Sequence, residues 1–402
     1  MRVVFSGGRV FDGTGAAPAD GDVAIEDGRI VAVGSGLDGD QAVDCAGRTV
    51  LPGLFDSHVH LMASSLDVMR NLQTPFSYAF FEAVRNMRTT LELGITTVRD
   101  AAGADLGLKQ AQADGLVAGP RMLISLVMLS QTGGHGDPWM PCGFAVPRRS
   151  KHPGVPDHIV DGPEDLRRKV REVVRMGADV VKVATSGGVL SPRDDPRHPH
   201  FRPAELAVLV EEAEAAGRYV MAHAQSSDGI KNAVRAGVRS IEHGIYLDDE
   251  AIGLMLNRGT WLVPTLVAPR GVLRAAESGV ALTEAAKRKA HEVLDVHSDS
   301  FRRAVDAGVR VAMGTDCPVS PHGTNLEELR LMVELSAMTP GDALVAATSS
   351  AAELLGVADD LGTLEAGKRA DLVVVEGDPF ELDKLAERVV AVWQDGKPAV
   401  TR

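Results

Sequence analysis

Between residues 53 and 360 short apolar runs alternate with longer amphipathic segments, and this alternation leaves very few architectures open to the chain. Eight runs stand out, at 53–60, 95–100, 121–128, 178–184, 219–223, 240–243, 261–266 and 309–316. A short run that is apolar throughout reads as a strand covered on both faces, as in parallel sheets flanked by helices. The stretches between them, such as 163–176, 203–217 and 283–308, repeat apolar residues at helical spacing. Eight such units over about 300 residues predict an α/β fold, a (β/α)8 TIM barrel whose working face lies at the C-terminal ends of the strands. The alternative is a doubly wound open sheet. No G-x-G-x-x-G follows the first run, so the usual dinucleotide cradle of that fold is missing.

The two chain ends have a different texture. Residues 1–52 carry short alternating runs, at 3–5, 22–25, 30–33 and 41–43, broken by Gly and Asp, and the same pattern returns at 367–375 and 389–393. Residues 1–52 and 361–402 are therefore predicted to pair into one small β-sandwich domain, with the barrel of 53–360 inserted between its halves. With 402 residues, 45% of them apolar, a large core can be buried. The formal charge of -13 argues against a nucleic-acid partner, which requires a basic face. Cys45, Cys142 and Cys317 are odd in number and far apart, which suggests neither a disulfide framework nor a cysteine zinc knuckle, and points to a reducing compartment. The apolar opening stops at Gly7-Gly8 and no run reaches membrane-spanning length, so a cytoplasmic protein with no membrane partner is expected.

Within the predicted barrel, ionisable residues recur where buried strands end. His58 and His60 are two apart, so on a strand both point to one side, which is metal-ligand spacing. His223 ends the fifth run, His243 the sixth and Asp316 the eighth, while Lys182 lies near the end of the fourth among Val180, Val181 and Val183. Each has a plainer reading alone: a hydrogen-bonded structural histidine, a helix N-cap at Asp316, or a lysine paired with a carboxylate. Six such groups meeting in one mouth favour a metal site. Imidazole and carboxylate suit zinc, whereas a neutral amine is an unusual bridge, so a bare Lys182 is the weak link; if carbon dioxide adds to its amine, the carbamate has two oxygens able to hold one metal on each. Cys317 reads as a small packing residue, and the basic run Arg148, Arg149, Lys151 and His152 as a solvated face.

Leu51-Pro52-Gly53-Leu54-Phe55-Asp56-Ser57-His58-Val59-His60 resembles the first-strand signature of the amidohydrolase superfamily. The resemblance continues through Val181-Lys182-Val183, Ala222-His223-Ala224, Ile241-Glu242-His243-Gly244, Gly314-Thr315-Asp316 and the closing 362–371 stretch. Within the superfamily the chain is similar to the imidazolonepropionase-like branch and its metal-dependent Xaa-Pro and Xaa-Arg/Lys dipeptidases, above all in the segment 129–137 around His135. The resemblance implies two divalent metal ions, zinc in the simplest case, with His58, His60 and Asp316 on one, His223 and His243 on the other, and carboxylated Lys182 as the bridge. It further implies that Asp316 is the acid and base and that His135 steadies the oxyanion. Gln225 stands where similar prolidases carry a tyrosine that grips the substrate carboxylate, which weakens an Xaa-Pro assignment. Gln225, Tyr246 and His322 are the candidate substrate contacts, with Asn325 beside them in the last loop.

The expected activity is hydrolysis of amide C–N bonds by a dipeptidase or carboxypeptidase-like enzyme, prolidase-like, on dipeptides or N-acyl amino acids. Ureas, carbamates or lactams are the alternative substrates, and a Schiff-base lysine lyase using Lys182 is the alternative of another class. Its partners are then small amide molecules, and a homo-oligomer is expected from the exposed helices around such a barrel.

Overall fold

The computed structural model of the protein describes residues 1–140, 142–146, 152–191 and 193–401. Of the basic run, Arg148, Arg149 and Lys151 lie outside the described residues, while the His152 ring packs against Phe76 and Phe80. The N-terminal strands are β1 (Val3–Val10), β2 (Ala19–Glu26), β3 (Arg29–Gly34), β4 (Gln41–Asp44) and β5 (Arg48–Pro52). β1 is antiparallel to β2, and it is parallel to β4 along Val3–Ser6 and to β5 at Arg9 and Val10. Changing partner halfway lets the sheet enclose its own apolar cluster, with Phe5, Val23, Ile25, Ile30 and Cys45 inside.

The middle of the chain supplies parallel strands. β6 (Leu54–Val59), β7 (Ile95–Asp100) and β8 (Arg121–Ile124) pair in that order. β9 (Met128–Leu129), β10 (Val180–Ala184), β11 (Tyr219–Ala224), β12 (Ser240–His243) and β13 (Trp261–Val263) form a second parallel set. The third expected strand is thus split: β8 keeps to β7 and β9 to β10, because Leu126 between them adopts φ 66°, a left-handed turn that breaks a ladder. The eighth expected strand, 309–316, is not continuous. Isolated bridges Leu262–Val311 and Val59–Cys317 tie that segment to β13 on one side and to β6 on the other. It passes so close to its neighbours that a Cβ at Gly314 would lie 2.3 Å from Val263 and 2.9 Å from the Cβ of His58. The last strands, β14 (Leu372–Glu376), β15 (Val389–Gln394) and β16 (Lys397–Thr401), return to the terminal sheet, β14 pairing antiparallel with β5.

Helices follow the strands: α1 (Val68–Gln73), α2 (Tyr78–Glu92), α3 (Leu106–Ala113), α4 (Pro163–Arg175), α5 (Pro203–Ala215) and α6 (Ser227–Ala236). After them come α7 (Asp249–Arg258), α8 (Val267–Glu277), α9 (Glu284–Asp306), α10 (Glu327–Glu334), α11 (Pro340–Ala346) and α12 (Ser349–Leu355). Their ends carry the expected chemistry: Ser226, Asp248 and Thr283 accept from Gly229, Ala251 and Ala286 N–H groups, and Gly237 and Gly259 close α6 and α7 in the left-handed region. Asp316 caps no helix, since α10 begins only at Glu327 with Leu326 at its N-cap. Among the described residues no helix is long and apolar enough to cross a membrane.

Candidate active site

The parallel register brings the C-terminal ends of the strands to one level, with Ala184 beside His223 and Ala224 beside His243. At the end of β6, His58 and His60 both face Asp316: Oδ1 lies 3.4 Å from His58 Nε2 and 3.0 Å from His60 Nε2. The ligand atoms of these three residues fall within 4.8 Å of one another, a group that can hold a metal ion. Burial raises the Asp316 carboxyl, but hydrogen bonds from His58 and His60 prevail and hold it well below the usual carboxylate range. Each ring is aimed by its other nitrogen, His58 Nδ1 at Glu242 Oε2, 2.7 Å away, and His60 Nδ1 at the Ala102 carbonyl, 2.9 Å away.

Glu242 is fully buried and shares its other oxygen with Arg99 Nη2 at 2.9 Å and Ser240 Oγ at 2.5 Å. Arg99, also fully buried, donates to the Ser57 carbonyl as well, so an ion pair beneath the rings ties β6, β7 and β12 together. Asp56 does the same between β6 and the last segment, accepting from His58 N, Thr315 N and Oγ1, and Asn325 Nδ2. Asn325 is therefore a buried tie rather than a pocket contact. Lys182 projects from β10 into this interior, 2% exposed, and its Nζ has no hydrogen-bond partner among the described residues. Burial lowers the ammonium pKa to about 8, against the pull of Glu242 and Asp316. An orphaned buried amine is costly unless something else completes it.

The second pair of histidines closes the ring. His243 lies 5.1 Å from His58 and 4.7 Å from His223, centroid to centroid, and its Nδ1 contacts Thr265 Oγ1 at 2.7 Å. Burial first, then neighbouring cationic groups, push both imidazoles well below their usual pKa, which keeps them neutral and able to donate lone pairs to a cation. His243 (φ 72°), Asp316 (φ 61°) and Thr265 (φ 52°) all hold left-handed backbone that non-glycine residues avoid. Strain of this kind gathers at functional sites.

His135 is buried and stacks on His223, ring centroids 4.4 Å apart and planes at 10°. Its Nδ1 meets Ser191 Oγ at 2.9 Å and Asp194 Oδ2 at 3.1 Å. The glycine-rich turn that carries it is tied down by Gly133 N to Asp137 and Gly136 N to Ser130 Oγ. Gln225 and Tyr246 meet through their backbones, Tyr246 N donating to Gln225 O at 2.9 Å, while the buried Gln225 Oε1 has no partner among the described residues. Half-buried His322 sits at the opposite end of the set, with Nε2 on the Ala63 carbonyl just beyond His60. Cys317 is buried and its thiol is pushed well up by burial, as a packing residue would be.

Arg99, Thr265, Asp194 and Ser191 take part in the arrangement without having been singled out by sequence pattern, and Glu242 stood out only as the neighbour of His243. The charges of Arg99 and Glu242 inside fully buried strands are the one signal that could have marked two of them.

The Amidohydrolase family profile matches residues 49–401. An ochratoxinase from Aspergillus niger is 36% identical over 365 residues, covering 87% of this chain and 75% of that one. An imidazolonepropionase from Geobacillus kaustophilus is 28% identical over 405 residues, covering 88% and 83%. A solved Xaa-Pro dipeptidase with methionine bound in its active site superposes with a TM-score of 0.89 at 33% identity, covering 99% of both chains.

Proposed function

The chain belongs to the amidohydrolase family, a hydrolase acting on C–N bonds, and from that premise we propose that it is a binuclear zinc amidohydrolase of dipeptides or N-acyl amino acids, carboxypeptidase-like in its demand for an amino-acid product. We read its parallel strands as a (β/α)8 barrel over 53–360, and the sheet of both termini as a small β-sandwich domain. The ring of donors fits two ions: His58, His60 and Asp316 for one, His223 and His243 for the other, and Lys182, carboxylated, between them. The observation that carries this reading is the buried Nζ of Lys182, which has no hydrogen-bond partner among the described residues and stands with a cluster of four histidines and a carboxylate.

Two divalent ions held there would polarise the scissile carbonyl and lower the pKa of the attacking water to near neutrality. In this reading Asp316 would take the proton of that water and pass it to the leaving amine, as a general base and then a general acid. His135 stands over His223 to steady the oxygen on which charge develops. Gln225, Tyr246 and His322 are the candidates for gripping the rest of the substrate. The depressed pKa of Lys182 leaves part of the amine neutral near pH 8, as addition to carbon dioxide requires. A neutral buried lysine also suits Schiff-base chemistry, but that reaction gives the histidines nothing to do.

Elemental analysis joined to a substrate panel tests the proposal. Two zinc ions per chain are expected, with turnover of dipeptides or N-acyl amino acids ahead of aryl carbamates, ureas and lactams. Turnover of no amino-acid amide would remove the proposed substrate class, and borohydride trapping of a carbonyl compound on metal-free protein would favour the lyase.

A further inference from the structure

Helix α9 turns an unusual row of side chains inward: Lys289, Val293, His297 and Ser300 are all buried on one face. Two of them hold the loop that follows His243, with His297 Nε2 3.0 Å from the His243 carbonyl and Ser300 Oγ donating to the Ile245 carbonyl at 2.7 Å. Lys289 reaches the other side of the mouth. Its ammonium donates to the carbonyls of Gly188 (3.0 Å), Ser191 (2.8 Å) and Asp194, and to Asp194 Oδ1 at 3.2 Å.

Those acceptors lie on the segment that orients His135. Ser191 Oγ donates to Asp194 Oδ1, so its proton is already committed, and His135 Nδ1 must carry the hydrogen shared with Ser191 Oγ and Asp194 Oδ2. Gly188 lies against the same ring, where a Cβ would come within 2.3 Å of His135 Cε1, and its N–H donates to Asp194 Oδ2 at 3.0 Å. Three elements of support thus converge on one imidazole, and all three hang from Lys289. We infer that Lys289 is a positioning residue for His135: by clamping Gly188, Ser191 and Asp194 it fixes the ring so that Nδ1 points into the protein and Nε2 faces the reacting carbonyl. The inference rests on the amide-hydrolase reading for the role of Nε2, but the placement of the ring does not depend on it.

Lys289→Met keeps the stem and removes the charge. In zinc-loaded protein the His135 Nδ1–H proton, assigned by its disappearance in His135→Asn, is expected as a downfield NMR resonance that the Met variant shifts or loses. On the best substrate of the panel, kcat should fall about 10- to 100-fold with zinc content unchanged, and KM should stay within about threefold. In a His135→Asn background the same substitution should change kcat less than about twofold. Lys289→Gln, a second neutral substitution that leaves Asp194 in place, should behave alike and decides the matter if the Met variant misfolds. A retained native resonance in both variants, or an equal fall in kcat with and without His135, overturns the inference. If no amide is turned over while the resonance behaves as stated, the proposed activity fails and the positioning role stands.

Discussion

His58 Nδ1 lies 2.7 Å from Glu242 Oε2, and both side chains are buried. The carboxylate does two jobs at once, since it fixes the ring that faces Asp316 and balances the buried guanidinium of Arg99. Glu242→Gln keeps the shape but not the charge, leaving Arg99 uncompensated. Removing one partner of a buried pair destabilises by about 3–5 kcal/mol, and losing a carboxylate behind a ligating histidine weakens metal affinity about 10- to 100-fold. Chelator-competition titration and thermal melts read both. Native zinc affinity in this variant would refute the orienting role.

Lys182→Ala separates a bridging lysine from a structural one. Truncation leaves the same cavity in either case, but a structural lysine also leaves its partner unpaired, whereas here an amine with no partner among the described residues is removed, so the metal-free variant should lose little stability. Metal loading should drop, and kcat should fall by about 10³-fold or more. Acetate or propionate entering the vacated space should restore part of both. Full activity without any added acid would eliminate the carbamate bridge.

Away from the ligands, Glu328 is buried and accepts from Leu266 N at 2.8 Å and Val267 N at 2.9 Å, at the start of α8. Burial outweighs those two bonds and raises its pKa from 4.5 to about 8. Because the folded state holds this proton more tightly than the unfolded chain, the contribution to stability is complete below pH 4.5 and is lost as pH rises through about 8. Glu328→Gln should flatten that part of the Tm–pH profile, losing a decline of a few degrees. A profile identical to the native one would show that the carboxyl does not titrate there.

What could be read from the sequence follows from locality. His58, His60, Lys182, His223, His243 and Asp316 were visible because each is polar where a buried strand should be apolar, a contrast needing only a few neighbours to detect. Lys289 was not, for it lies in a helix already rich in Lys287, Arg288 and Glu292 and looks like another solvated charge; its partner Asp194 is 95 residues away. The break in the third strand at Leu126 was equally hidden, since leucine gives no local sign that it will adopt a positive φ. At 309–316 the apolar run was legible but not its geometry, which is set by contact with Val263 and His58 from other strands.

Gly188 supplies a steric test of the His135 ring. A methyl group there would stand 2.3 Å from Cε1 and 2.6 Å from Nδ1, inside contact distance, so Gly188→Ala must tilt the imidazole off the His223 stack. The expected result is a fall in kcat of about 10²-fold with zinc content intact. Equal kcat in the alanine variant would mean that the reaction does not use the ring in this position.

Gln225 is a proposed substrate contact. Its backbone is pinned from both sides, N–H to Ser186 Oγ at 2.7 Å and carbonyl to Tyr246 N at 2.9 Å, so the side chain has little freedom to find another partner. It is 5% exposed, and its Oε1 makes no hydrogen bond among the described residues. A buried amide in that condition is destabilising by itself, and a bound molecule that completes it recovers the loss. Gln225→Leu removes the amide at similar volume. If the amide grips substrate equally in the ground and transition states, KM should rise about 3- to 10-fold while kcat holds, matching one neutral hydrogen bond. The free protein should melt slightly higher, because an unpaired polar group has gone. Steady-state kinetics across the panel then sorts the substrates: those whose KM moves carry the polar group that Gln225 meets, and an unmoved KM for all of them would take Gln225 out of the substrate site.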